Sequence, residues 1–441
     1  MTQTPSVSRR TLLKSAAAAA AVAVADAGDT LAAPSRQPVN PTLAQETKLT
    51  INGRTGSNQE QFEALIALYR ESHPDVSIEG QYFSGANQEY FQKLAVLFAG
   101  GTEADIVFLT SIEGYYDYAA RGQLLNLDDL IARDAVDLSE WFAAAIEMDK
   151  VDGSTYALPL WAHPSIVGLY YNQDLLDAAG IGTPDDTWTL DTLLDNAEAL
   201  TKRQGRAVEQ FGLSPAHEYF NGLTQLVDSY GGDALSEDGT TLTLDSEESR
   251  AAVQWLADAF QGRSVSPLPG QQDRAQLMSS QKIALYAGGY WERWSARTAW
   301  EFNWGVVPMP VGPAGTNGPT LQTDMLPISA HSDQQDAAWE FHKFLSSKEA
   351  GLKMYELNAI PSARADVWSD PILTADETHA IWAPLMDAAG PLRYPANLRL
   401  REFEINVNQE LSNIWLGNKD VDQGIADTIS STQKILDQPR G

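Results

Sequence analysis

The chain has 441 residues, 59 acidic against 30 basic, and a formal charge of −29. That balance excludes a nucleic-acid binder, whose affinity comes from basic residues that displace counterions, and anionic lipid surfaces repel it as well. There is no cysteine, which excludes disulfides, iron–sulfur clusters, thiolate metal sites and a Cys nucleophile. At this length one core is outgrown and two lobes are expected.

At the amino end, Ser8-Arg9-Arg10-Thr11-Leu12-Leu13-Lys14 precedes an alanine-rich run from Ser15 to Ala25. The run is shorter than the roughly 20 residues that span a bilayer and reads as the apolar core of a twin-arginine signal peptide. Residues 1–32 are expected to be removed, with Thr30-Leu31-Ala32 as the cleavage site and Ala25-Asp26-Ala27 as its rival. Residues 33–47, rich in Pro, Gln and Thr, read as a flexible arm. With no Cys to carry a lipid, the product is expected to be soluble and periplasmic.

Lys48 to Asn52 alternates as a strand. Gln59 to Ser72 is a helix with Phe62, Leu65, Ile66 and Tyr69 on one face, closed by Pro74. Val76 to Tyr82 is a second strand. Tyr90, Phe91, Leu94, Leu97 and Phe98 mark a helix that breaks at Gly100-Gly101, Asp105 to Leu109 is a third strand, and another helix ends at Gly122. This β-α-β-α-β order predicts a parallel sheet covered by helices. Ligands of such sheets bind just past the strands' carboxyl ends. The residues there are Arg54 and Thr55, Asn87, Thr110 and Ser111, and Tyr115. Each also has a structural reading: helix capping for the small polar groups and core packing for Tyr115.

Farther along, Leu160 to Ser165 lies between two apolar runs, and Pro164 restricts His163 to extended conformations. A few such residues absorb a hinge rotation, which makes Trp161 and His163 cleft candidates. Ile283 to Tyr286 is a strand followed by Gly288-Gly289-Tyr290-Trp291, where the glycines permit close backbone approach. Gln322-Thr323-Asp324-Met325 precedes Leu326-Pro327-Ile328, a second crossover at which Asp324 offers a charged acceptor to hydroxyls. Thr374 to Gln438 is helical by pattern.

Four passages resemble family 1 extracellular solute-binding proteins, the sugar-binding subunits of ABC importers typified by maltose-binding protein. They are Leu94–Leu130; Tyr156-Ala157-Leu158-Pro159 through Tyr170-Tyr171-Asn172-Gln173-Asp174-Leu175 to Thr187-Trp188; Gln281–Trp291; and Ala338–Glu349 with Asn358–Arg364. Their order and spacing carry the likeness, although Glu103-Ala104 stands where a Pro often precedes the Asp. The resemblance implies an α/β two-lobe periplasmic-binding-protein fold, type II-like. Each lobe is then a helix-covered, mostly parallel sheet, and hinge crossovers join the two. The lobes are expected at 48–160 plus 326–372 and at 161–325 plus 373–441.

A sugar needs flat aromatics for its faces and fixed polar groups for its hydroxyls. By the resemblance, the ligand-binding set is Arg54, Thr55, Asn87, Ser111, Tyr115, Trp161, His163, Tyr219, Tyr290, Trp291, Asp324, Arg364 and Phe403, with Trp291 stacking on the sugar. The implied partners are a carbohydrate and the transmembrane subunits of an ABC permease, with a monomer expected. Arg54, Arg364, Arg393 and Arg399 raise an alternative: by converging on an anion they favour an acidic sugar or a polyol phosphate. An exported glycoside-processing enzyme is a further alternative, since two carboxylates can come from anywhere in a chain. No hydrolase, zincin, P-loop or dinucleotide motif occurs, and the six His are scattered. No catalytic residue, metal or cofactor is expected.

Overall fold

The computed structural model describes residues 47–84, 87–111, 114–216, 220–270 and 273–440. The expected leader, the arm up to residue 46, and Tyr219 lie outside them. β1 (Thr47–Arg54), α1 (Ser57–Ser72), β2 (Val76–Phe83) and α2 (Asn87–Gly100) follow the predicted order. β1 runs parallel to β2 from Thr47↔Val76 to Arg54↔Phe83, and parallel to β3 (Ile106–Val107) at Ile51↔Ile106. The strand order is therefore β2-β1-β3. The apolar stripe of α1, Phe62, Leu65, Ile66 and Tyr69, is the face it buries.

The predicted third strand is not continuous. It divides at Phe108 into β3 and β4 (Leu109–Thr110), and β4 pairs with a different sheet. Phe108 is the pivot: its N–H donates to Asn52 O at 3.2 Å and its carbonyl accepts the Tyr90 hydroxyl at 3.0 Å. Asp105, just upstream, is a structural clamp. Its carboxylate accepts from the Thr50 amide and hydroxyl, both at 2.8 Å, and from the Ser332 hydroxyl at 2.6 Å. α3 (Tyr115–Ala120) follows β4.

A hairpin, β5 (Lys150–Val151) and β6 (Ser154–Thr155), leads to β7 (Trp161–His163), and the chain then enters a second sheet. Its strands are β8 (Gly168–Asn172), β9 (Lys202–Gln204), β10 (Ala207–Ser214), β11 (Ile283–Gly288) and β12 (Trp304–Pro308), in the order β12-β8-β11-β10-β9. Here the expectation of a mostly parallel sheet is corrected. Only β10–β11 is parallel, while β8–β11, β8–β12 and β9–β10 are antiparallel. The chain enters β8 from β7, so β8 starts at the edge where β10 and β11 end. Helical connections return the chain between β10 and β11, as a parallel pair requires.

Between the two sheets lies a third, built on β13 (Thr320–Met325). It pairs antiparallel with β4 and with β7, and parallel with β14 (Gly390–Pro391). The helix Gln335–Leu345 packs on α1 and β1, whereas the helices Leu400–Trp415 and Val421–Leu436 pack on each other and on Glu247–Ala257. Carboxyl ends of both main sheets thus face the β13 layer, where β1, β10 and β11 deliver their loops.

Candidate ligand-binding site

β13 organises the site by strand alternation. Asp324 pairs with Thr110 on one edge and Trp161 on another, and Gln322 pairs with His163. Cross-strand partners share a face, so Thr110, Trp161, His163, Gln322 and Asp324 stand together. Trp161 is 3% exposed and its indole N–H donates to Asp324 Oδ2. The ring rests on Phe62, with centroids 6.2 Å apart, and on Phe108 at 5.9 Å. Arg54 lies over the other aromatic neighbour, 4.9 Å from the Phe108 centroid, with its Nε donating to Asn58 Oδ1 at 2.5 Å.

Among the described residues, neither the second Asp324 oxygen, Oδ1, nor Thr110 Oγ1 has a partner, and both are buried. Burial raises the Asp324 carboxyl from 3.8 to about 6, against the Trp161 hydrogen bond and the Arg54 charge, which lower it. His163 Nε2 is 3.9 Å from Asp324 Oδ2, yet burial pushes the imidazole down to about 3. The two do not form an ion pair at neutral pH: each is driven toward its uncharged form by the same loss of water.

Trp291 enters from the other side. It follows β11 and is half-buried, and its ring meets His163 edge-on at 4.8 Å. Glu292 Oε1 accepts from the Trp291 indole at 3.1 Å and from the Tyr286 hydroxyl at 3.0 Å, which orients the ring. The expected use of the glycine pair is visible here: a Cβ on Gly289 would lie 2.1 Å from the Trp291 ring. Asn221 donates to Gln322 at 2.7 Å, and its own Oδ1 is buried without a partner among the described residues.

The opposite face of β13 is held by the first body. Thr323 donates through Oγ1 to Asp149 at 2.6 Å, and its amide donates to Ser111 Oγ at 3.3 Å. Burial drives the Asp149 carboxyl well above the usual carboxylate range. Tyr115, expected at the cleft, is fully buried, and its hydroxyl is spent on Asp149 O at 2.5 Å. Ser111 is likewise fully buried, donating its amide to Thr323 O at 2.9 Å. Both support the strand from behind.

Other expected residues lie elsewhere. Thr55 is exposed at the turn after β1, where its amide donates to Phe83 O at 3.1 Å. Asn87 opens α2, and its side chain is outside the described set. Tyr290 is a core residue: its hydroxyl meets His379 Nδ1 at 2.8 Å and receives a hydrogen bond from Arg293. Phe403 is fully buried edge-on against Phe220, at 4.8 Å. Arg364 is bound to Glu140 at 2.6 Å and to Asp366 at 3.0 Å, over Trp141. Arg393 is held by Asp233, and Arg399 by Glu402 and Pro439 O. The four arginines therefore do not assemble: carboxylates hold Arg364, Arg393 and Arg399 at separate places, while Arg54 lies over Phe108. Asn221, Asp149 and Glu292 escaped the sequence reading. Only Asn221, a polar residue in an apolar helical stripe, left a local signal.

Among the described residues no group of His, Asp and Glu is arranged to hold a metal ion, and no helix is long and apolar enough to cross a membrane. The sequence profile of the bacterial extracellular solute-binding proteins matches residues 55–352. The chain belongs to that family. Its members bind solutes for ABC importers and are not enzymes, and an extracellular solute-binding protein is an exported one. The fold is the two-lobe one of maltose-binding-protein-like relatives. An ABC substrate-binding protein of Listeria monocytogenes, in complex with cycloalternan, superposes with a TM-score of 0.79 at 22% identity, covering 89% of this chain and 99% of that one. UgpB from Mycobacterium tuberculosis, in complex with glycerophosphocholine, gives 0.78 at 18% over 88% and 98%. Maltose-bound T. maritima MalE3 gives 0.73 at 23% over 88% and 100%.

Proposed function

We propose that this solute-binding protein captures a neutral sugar between its two lobes and delivers it to the transmembrane subunits of an ABC permease. The observation that carries the reading is Asp324. It sits on the strand between the two main sheets with one carboxylate oxygen unpartnered among the described residues, flanked by Trp161 and His163 on the hinge and by Trp291 beyond β11. An unpaired acceptor beside aromatic rings suits a polyol, since hydroxyls donate to the carboxylate and ring faces cover the C–H surfaces. Arg54, the last residue of β1, borders the same space through Phe108 and the Asp324 charge. The lobes divide at 48–160 plus 326–372 and at 161–325 plus 373–441, and they close by bending at β7 and β13. Closure requires a ligand that touches both lobes and so has greater affinity for the shut form. The protein works as a monomer in the periplasm, exported by the twin-arginine route.

A thermal-shift screen over mono- and disaccharides, uronates and glycerophosphodiesters tests this, because a ligand that binds only the native state raises the melting temperature. A neutral saccharide should give the largest shift. A shift from phosphodiesters alone would replace this reading with the polyol phosphate one, which the glycerophosphocholine complex of a similar fold makes the second choice.

A further inference from the structure

The outer half of β13 borders a cavity of about 320 Å³ that the sugar site does not use. One wall is the helix Phe220–Tyr230, through Phe220, Thr224 and Asp228, and another is β13 at Thr320. Gly390, Pro391 and Arg393 complete it. The volume lies within the range of small-molecule sites, about 300–1,000 Å³. The Asn221–Gln322 hydrogen bond stands between this cavity and Asp324, because Thr320, Gln322 and Asp324 follow one another along one face of the strand.

Two features make this cavity the candidate. Thr320 is 4% exposed, and its Oγ1 has no partner among the described residues. A buried hydroxyl left without a hydrogen bond costs about 1–3 kcal/mol, which a ligand group bonded there would recover. The second feature is an unbalanced carboxylate. Arg393, the cation on this wall, is committed to Asp233 and to Leu235 O. Asp228 receives no side-chain hydrogen bond from the described residues. Burial, and next the neighbouring Asp233, raise its carboxyl to about 7, against the pull of Arg393. The larger groove between α2, α3 and the helix Leu400–Trp415, about 620 Å³, lacks these signs. There Arg121 is paired with Asp117 at 2.8 Å and Arg399 with Glu402 at 3.4 Å.

We propose that this cavity is a second, separate binding site, selective for a one-ring amino-polyol. An ammonium balances Asp228, and ring hydroxyls meet Thr320 Oγ1 and the free lone pairs of Thr224. Phe220 and Pro391 supply apolar walls for the ring. An anionic solute meets the Asp228 and Asp233 carboxylates and is excluded.

Glucosamine, glucose and glucuronate are the probes, titrated calorimetrically into the mature chain as wild type, Trp291→Ala, Asp228→Asn and Thr320→Val. Glucosamine should bind wild type and the Trp291 variant alike. Asp228→Asn and Thr320→Val should each weaken that binding about tenfold, the factor for one hydrogen bond to a charged or buried group. Glucuronate should not bind there. Both substitutions are near-isosteric, and unliganded melting curves check that each folds; if Thr320→Val does not, Asp228→Asn decides alone. The proposal is overturned if glucosamine fails to bind wild type, if its binding disappears with Trp291, or if it survives unchanged in Asp228→Asn. Loss with Trp291 would assign glucosamine to the sugar site instead, and that site is tested by its own panel.

Discussion

Asp324→Asn should make the empty protein more stable and the sugar complex weaker. In the folded chain the Asp324 carboxyl titrates at about 6, against 3.8 when unperturbed, chiefly because it is buried. An acid whose pKa is raised by folding binds more protons in the native state between those two values. Its contribution to stability is therefore intact below about 3.8, declines as pH rises to about 6, and stays lost above. Two pH units correspond to about 3 kcal/mol, which is the strain the ionised group imposes at neutral pH. Asparagine removes the charge and keeps an acceptor for the Trp161 indole, but its amide N–H₂ takes the unpartnered position at a cost of about 1–3 kcal/mol. The expected net result is a gain of about 1 kcal/mol at pH 7, and none at pH 4. Binding moves the other way: a hydroxyl bonded to a charged acceptor contributes about 1.5–3 kcal/mol, so affinity should fall by about ten- to a hundredfold. Urea unfolding at the two pH values and calorimetric titration measure both quantities. A variant destabilised at pH 7 that still binds sugar at wild-type strength would refute the reasoning, since Asp324 would then be a structural residue well served by its surroundings.

Trp291→Ala should weaken sugar binding by at least about 1 kcal/mol, the lower bound for an aromatic anchor; equal titration curves would move the site elsewhere. Glu292→Ala removes the acceptor that orients the same indole, so ligand-induced change in tryptophan emission should shrink while the melting temperature moves by only a few degrees. His342 accepts from Leu158 N at 2.8 Å, lies 2.9 Å from Leu326 O, and is pushed down to about 4 by burial. It favours the fold fully above about 6.5, and that stability is lost as pH falls through about 4, by roughly 3 kcal/mol; an acid-unfolding profile for His342→Gln should be flatter across that window. Arg293→Met removes the buried guanidinium that joins Tyr290 to Asp376 but leaves them His379 and Arg297, and should destabilise by about 1.5–3 kcal/mol, the worth of a hydrogen bond to a charged group, which chemical denaturation measures directly.

Much of the architecture was readable because it is encoded locally. The 3.6-residue stripe of α1, the alternation of β1 and the Gly-Gly break before Trp291 each depend on residues a few positions apart, and the structure reproduces them. So does the extended segment at Pro164, which forms β7. The family motifs add order and spacing to those signals, and that suffices for the two-lobe fold. Candidate site residues were less legible, because a side chain's task depends on what lies across from it. Tyr115 and Tyr290 follow strands where a ligand is expected, yet each spends its hydroxyl on a distant partner, Asp149 O and His379.

Local pattern thus determined the helices, the first sheet and the segments that carry Arg54, His163 and Trp291. Tertiary structure alone decided the rest: the break at Phe108, the reversed direction of β8, and the pairing of β13 with both β4 and β7, segments some 160 to 210 positions away. It also dispersed the arginines, since Arg364 reaches Glu140 across 224 residues of sequence. The physical reason is that hydrogen bonds and ion pairs are chosen by proximity after the chain collapses. Periodicity acts before that, within single helices and strands.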